Sequence, residues 1–167
     1  MRSSKRQFLI LIAMSIIGLI SSFTVIYELD VVHQLPPFCI ENNNITGITL
    51  NCAKVLLSPY STLYIAGTPI SVDFLAATWF IINILMVIII TEAKESIAKV
   101  FFKILFGWRF FGLIVVPYML YLEFFVVRSI CIYCTIMHGA IIIDFIIMTY
   151  LVFSKKSQIR NKLYQIR

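Results

Sequence analysis

Apolar residues fall into four long runs, at about residues 8–27, 70–90, 105–126 and 131–153, with charge, proline and glycine returning between them. Each run has about the 20 residues needed to cross a bilayer core. Each predicts a helix, because a spanning backbone has no water for its amides and must bond them internally. The first run follows Arg2, Lys5 and Arg6, as the apolar part of a signal peptide would. It is longer than such a segment, and no small-x-small cleavage site precedes Tyr27-Glu28-Leu29, so it predicts a retained helix. The expected fold is all-α: an integral membrane four-helix bundle with a lid loop, residues 28–69, between helices 1 and 2. One domain of residues 1–154 is followed by a basic tail, 155–167.

Composition agrees, with 60% of the 167 residues hydrophobic and 13% charged. Charge then orients the bundle, since basic residues concentrate in cytoplasmic loops. Arg2, Lys5 and Arg6 precede the first run, and Lys94, Lys99, Lys103 and Arg109 lie in or beside the segment joining the second and third. Lys155, Lys156, Arg160, Lys162 and Arg167 form the tail, which leaves only Lys54 and Arg128 for the other face. Both termini are expected in the cytoplasm. The net charge of +6 follows from this asymmetry and calls for no nucleic-acid partner.

Residues 28–69 and 127–130 then face the extracytoplasmic side, and with them all four cysteines. Thiols are kept reduced inside cells, so this placement points to disulfide chemistry. Pro36-Pro37, Pro59 and Pro69 stiffen the long loop into a cap. Asn44-Ile45-Thr46 is a glycosylation sequon on the appropriate side.

Cys131-Ile132-Tyr133-Cys134 places two thiols three residues apart where the fourth helix begins. Such thiols can close into a disulfide, and the positive end of the helix dipole favours a thiolate there. A structural disulfide, or half of a zinc site, is the other use of this motif. At about 100° per residue, Cys131, Cys134 and His138 share one helix face, with His138 one turn deeper. An ionisable ring at that depth is a functional hypothesis by default, weighed against a histidine satisfied by a neighbouring helix. Cys39 and Cys52 bracket a twelve-residue segment. A disulfide there is worth about 3 kcal/mol as a staple. Two pairs at one membrane face also permit thiol–disulfide exchange. Zinc prefers two closely spaced ligand pairs and only one is present, so no metal is expected.

In the order of these elements the chain resembles the vitamin K epoxide reductase family: four helices, a loop cysteine pair after the first, and C-x-x-C opening the fourth. Ser58, six residues after Cys52, matches a hydroxyl the family keeps in this loop, and Gly67-Thr68-Pro69 looks like the Gly-x-Pro of prokaryotic members. DsbB-type thiol oxidases share the four-helix bundle but carry the two cysteine pairs in the reverse order. The resemblance implies that Cys134 stands next to a membrane quinone (ubiquinone, menaquinone or similar) with Cys131 as its partner. It implies that Cys52 exchanges with Cys131 and that Cys39 takes electrons from a protein substrate. His138 falls where animal members place a quinone-contacting tyrosine. Thr62-Leu63-Tyr64 lacks the asparagine those members use, which favours an ordinary quinone over an epoxide.

The activity so implied is that of an oxidoreductase making disulfides for exported proteins. Nothing but the basic tail follows residue 154, so its thioredoxin-like partner is expected to be a separate chain. A prokaryotic plasma membrane is the expected home, with the endoplasmic reticulum as alternative. A non-enzymatic four-span protein with two structural disulfides, and a quinone-epoxide reductase, are the competing functions. Asn83 is expected to bond across helices. Asp144, turned away from the cysteine face, is expected to pack or to form a salt bridge. Trp79 and Trp108 read as anchors and bundle packing, some aromatic residues necessarily lining any quinone pocket.

Overall fold

The computed structural model describes residues 2–36, 39, 44–45 and 48–164. Thr46 of the sequon and Pro37 lie outside them. Helix α1 (Arg2–Ile26) is prolonged by a π turn (Tyr27–Val32). The lid carries β1 (Asn44–Ile45), β2 (Ile48–Leu50), a short helix α2 (Cys52–Leu56) and a hairpin of β3 (Thr62–Ile65) and β4 (Thr68–Ser71). Then come α3 (Val72–Glu92), α4 (Glu95–Tyr121) with its own π turn (Leu122–Val127), β5 (Ser129–Ile130) and α5 (Ile132–Tyr164). Four of these helices are long and apolar enough to cross a membrane.

Helices α4 and α5 run ten residues or more beyond their apolar stretches. The turn between α3 and α4 is only Ala93-Lys94, so α4 starts ten residues before position 105. Residues 95–104 mix Ile97, Val100 and Ile104 with Ser96, Lys99 and Lys103. That mixture is amphipathic, so the segment is helical without being uniformly apolar. α5 continues into the basic tail as far as Tyr164. α3 begins at Val72 because Ser71 caps it, its Oγ accepting the Phe74 N–H at 3.1 Å.

α1 packs along α3 and α5, and α4 packs against the same two helices. Ser15, Gly18 and Ser22 form the small-residue stripe that lets α1 approach closely. A Cβ on Gly18 would fall on the Phe80 ring. Ser22 donates to Met137 Sδ at 2.9 Å. Outward-facing Ile20, Phe23, Ile114 and Ile146 stay exposed, as lipid-facing side chains do.

One polar residue from each spanning helix meets at mid-bundle. Ser15 Oγ donates to Asp144 Oδ2 (3.0 Å), and Arg109 Nε donates to Asn83 Oδ1 (3.2 Å). Arg109 also donates through Nη1 to the Asp144 carbonyl (3.2 Å), and its Nη2 stands 3.6 Å from Asp144 Oδ2. The sequence placed Arg109 beside the loop joining helices 2 and 3; it is instead fully buried in the bundle. Asp144 and Asn83 hold it there, and it drops out of the loop-charge argument. The ion pair and the cross-helix amide are both as expected.

β2 pairs in parallel with β5, Leu50 opposite Ile130, and the Asn51 N–H donates to the Ile130 carbonyl at 3.2 Å. This short ladder fixes the lid to the start of α5. Asn51 also caps α2, its Oδ1 accepting the Lys54 N–H at 2.9 Å.

Candidate active site

Cys131 directly follows β5 and Cys52 follows β2 after the single residue Asn51, so the ladder's register brings them side by side. The Cys52 thiol has Cys39 on one side and Cys131 on the other, and Cys131 is hydrogen-bonded to Cys134. Backbone N–H groups from the first turn of α5 point at the sulfurs, Ile132 at Cys52 and Cys134 at Cys131. All four are free thiols. Cys131, although it stands at a helix start, is 0% exposed. The lid covers it, and Cys52 is its neighbour on the lid side.

Burial pushes the Cys39 thiol up to about 12, and the contact with Cys52 adds to this. Cys52 is raised too, first by its contact with Cys131 and then by burial. A raised thiol leaves less thiolate at neutral pH, and thiolate is the nucleophile. Alkylation of Cys39 in the reduced protein is therefore expected to keep climbing about tenfold per pH unit beyond pH 9, where an ordinary thiol levels off. Peptide mass spectrometry after brief iodoacetamide exposure between about pH 7 and 10 reads this, and a plateau near 8.5 would contradict it.

Beyond Cys134 lies a cavity of about 430 Å³ between α3, α4, α5 and the lid. Its wall is almost wholly apolar and aromatic, with Trp79, Phe80, Trp108 and Phe111 prominent. Ser58 lines it from the lid side and His138 from α5, one turn below Cys134. The size suits a small flat ligand. The polar atoms suit one with ring oxygens. Trp79 Nε1, Trp108 Nε1 and His138 Nδ1 are all buried without a hydrogen-bond partner among the described residues. A quinone's two carbonyls would use such donors, so the residues present fit that group.

Gly112 sets the position of the Trp79 indole. A Cβ there would come within 2.6 Å of Trp79 Cζ2. Gly112→Ala is expected to push the ring into the cavity and raise the quinone KM about tenfold, with less effect on kcat, because a methyl-sized change in an apolar pocket is worth about 1–3 kcal/mol. Steady-state kinetics with a short-chain quinone checks this; an unchanged KM would show that Trp79 does not bound the site.

The four cysteines, Ser58 and His138 thus lie along one path: Cys39, Cys52, Cys131, Cys134, then the cavity with Ser58 and His138. Two acidic wall residues escaped the sequence reading, and the two tryptophans it took for anchors and packing have a further place. Asp73 is buried in the first turn of α3, Glu123 is buried beside Cys134, and the tryptophans proved to be cavity wall. The signal for Glu123 was present as a local echo. Glu28-x-x-Val31-Val32-His33 and Glu123-x-x-Val126-Val127-Arg128 each form a π turn closed by a residue in the left-handed region, His33 at φ 55° and Arg128 at φ 53°. Such turns recur at functional sites.

The model of the family described as Vitamin K epoxide reductase matches residues 9–149. No curated protein matches the chain.

Proposed function

The chain belongs to the vitamin K epoxide reductase family, and on that footing we propose that it oxidises a thioredoxin-like thiol protein on the extracytoplasmic side and passes the electrons to a membrane quinone. Membership carries the coarser statement, a membrane oxidoreductase linked to a quinone. The finer reading is supported by one observation: four sulfurs in line, from the half-buried Cys39 to a cavity with unpartnered donors.

Cys39 meets the partner's thiol. Cys52 thiolate attacks Cys131 of the Cys131–Cys134 disulfide, Cys134 leaves as thiolate, and Cys39 then attacks Cys52 and frees Cys131. The reduced pair now stands at the cavity, where a bound quinone supplies the acceptor for two electrons and two protons. The indoles of Trp79 and Trp108, with His138 and the Ser58 hydroxyl, orient the ring oxygens, and the closed lid keeps water from the sulfurs. Partner disulfides of this class lie at about −120 to −180 mV, so a quinone of higher potential draws electrons forward.

The test uses purified protein, dithiothreitol and a short-chain quinone. One quinol per disulfide formed is expected, with vitamin K epoxide left unreduced. Thiol oxidation without quinol, or epoxide reduced as fast as quinone, would overturn the reading. Sidedness is supported by the position of Arg6, Lys94 and Lys103 at the bundle end away from the cysteines. On that basis both termini are cytoplasmic, and the membrane we propose for the bundle is the plasma membrane. A membrane-impermeant maleimide should label Cys39 in intact, reduced cells, and failure to label would reverse the orientation.

A further inference from the structure

Glu123 is the second residue of the π turn that ends α4, and its side chain lines the cavity next to Cys134. It is 4% exposed, Cys134 is its hydrogen-bond partner, and its Oε2 is buried without one. A carboxyl at this depth is costly to keep, and such groups mark proton or substrate paths. Among the described residues, no lysine or arginine lines the cavity. The other ionisable groups there are Asp73 on α3, Tyr60 on the lid, and Cys134 and His138 on α5. Cys131 and Cys52 stand behind Cys134, and Lys54 on α2 is exposed. A packing role for Glu123 would require a donor that stays in place. The donor it has is the thiol that reacts.

We propose that Glu123 is the catalytic base that takes the proton of the Cys134 thiol and the acid that returns it to a quinone oxygen. This rests on the reading above of Cys134 as the thiol facing the quinone. The step balances as follows. The S–H bonds of Cys131 and Cys134 break and the S–S bond between them forms. Two electrons pass to the quinone. The Cys134 proton travels by Glu123 to one ring oxygen, the Cys131 proton ends on the other, and the carboxylate is restored. Geometry separates Glu123 from Asp73, since Glu123 is the one hydrogen-bonded to the Cys134 sulfur. Asp73 faces the same cavity from the N-terminal turn of α3.

The experiment mixes pre-reduced, detergent-purified protein with a short-chain quinone and follows quinol in a single turnover across pH. The wild type should lose rate on the acid side as the base is protonated. Glu123→Gln should slow the step about 100-fold, the low end of general-base effects, and abolish the acid limb. Glu123→Asp should restore the limb at reduced rate, and Asp73→Asn should keep it. Size-exclusion elution and thermal unfolding report whether each variant is folded, and Glu123→Asp carries the test if Glu123→Gln is not. A second readout needs no quinone: the reduced-minus-oxidised infrared difference spectrum should contain a carboxyl band that Glu123→Gln removes. A Glu123→Gln protein with wild-type rate and pH profile, a limb that disappears with Asp73→Asn instead, or a carboxyl band untouched by Glu123→Gln would each overturn the assignment. A wild type that forms no quinol at all would instead overturn the quinone reading of the site.

Discussion

Cys134→Ala is expected to abolish quinol formation and to leave the lid bonded to the fourth span through Cys52 and Cys131. The chemistry requires it, because exchange passes through a mixed disulfide that the second thiol of a pair resolves. In the variant, Cys131 thiolate attacks the Cys39–Cys52 bond at Cys52 and Cys39 leaves. No Cys134 follows to take Cys131 back. Cys39 alone can reverse the step, and of the three cysteines left in the variant Cys39 is the half-buried one that an added maleimide can cap. Geometry points the same way: Cys131 is fully buried, with Cys52 beside it under the lid. Trypsin cleavage at Lys94, in the turn between α3 and α4, should then yield two fragments that separate only on reduction. Mass spectrometry should find Cys52 joined to Cys131 and Cys39 alkylated, and adding Cys52→Ala should remove the link. An intact Cys39–Cys52 bond with free Cys131 would show the lid disulfide to be a staple and the relay to be wrong.

Much of this was legible in the sequence because membrane physics is strict. Four uniformly apolar runs have no other stable use, and cysteines at their ends on one face are visible by position alone. What was not legible depended on short-range pairing and on context. The β2–β5 ladder is two residues per strand, Thr49-Leu50 against Ser129-Ile130, far too short for an alternating pattern to register. Yet that ladder, not the span pattern, sets Cys52 against Cys131. Arg109 looked like a loop charge because it follows a run of lysines. Its true setting appears only once Asp144, 35 residues away, is folded onto it. Glu123 was hidden by its neighbours: a single carboxyl between Leu122 and Phe124 hardly changes the hydropathy of a window, although its depth alone marked it for attention.

Asp144→Ala is expected to cost about 3–5 kcal/mol, the loss seen when one partner of a buried pair is removed and the other charge stays behind. Arg109 would remain buried with only Asn83 Oδ1 and a backbone carbonyl facing it. For a chain of this size that is a fall of about 10 °C in unfolding temperature, readable in detergent by loss of the monodisperse peak on heating. The double variant Arg109→Met/Asp144→Leu should recover most of the loss, since an apolar pair of similar volume avoids the cost of dehydrating two charges. Asn83 keeps its own bond to the Trp79 carbonyl at 2.9 Å, and Ser15 can turn to a carbonyl one helical turn back. Asp144 lies ten residues along α5 from Cys134, about 15 Å at 1.5 Å per residue. The double variant should therefore turn over quinone at nearly the wild-type rate. Stability equal to wild type in Asp144→Ala would show that Arg109 finds another partner. A double variant stable but inactive would mean that the polar quartet serves the sulfur end as well as the packing of the four spans.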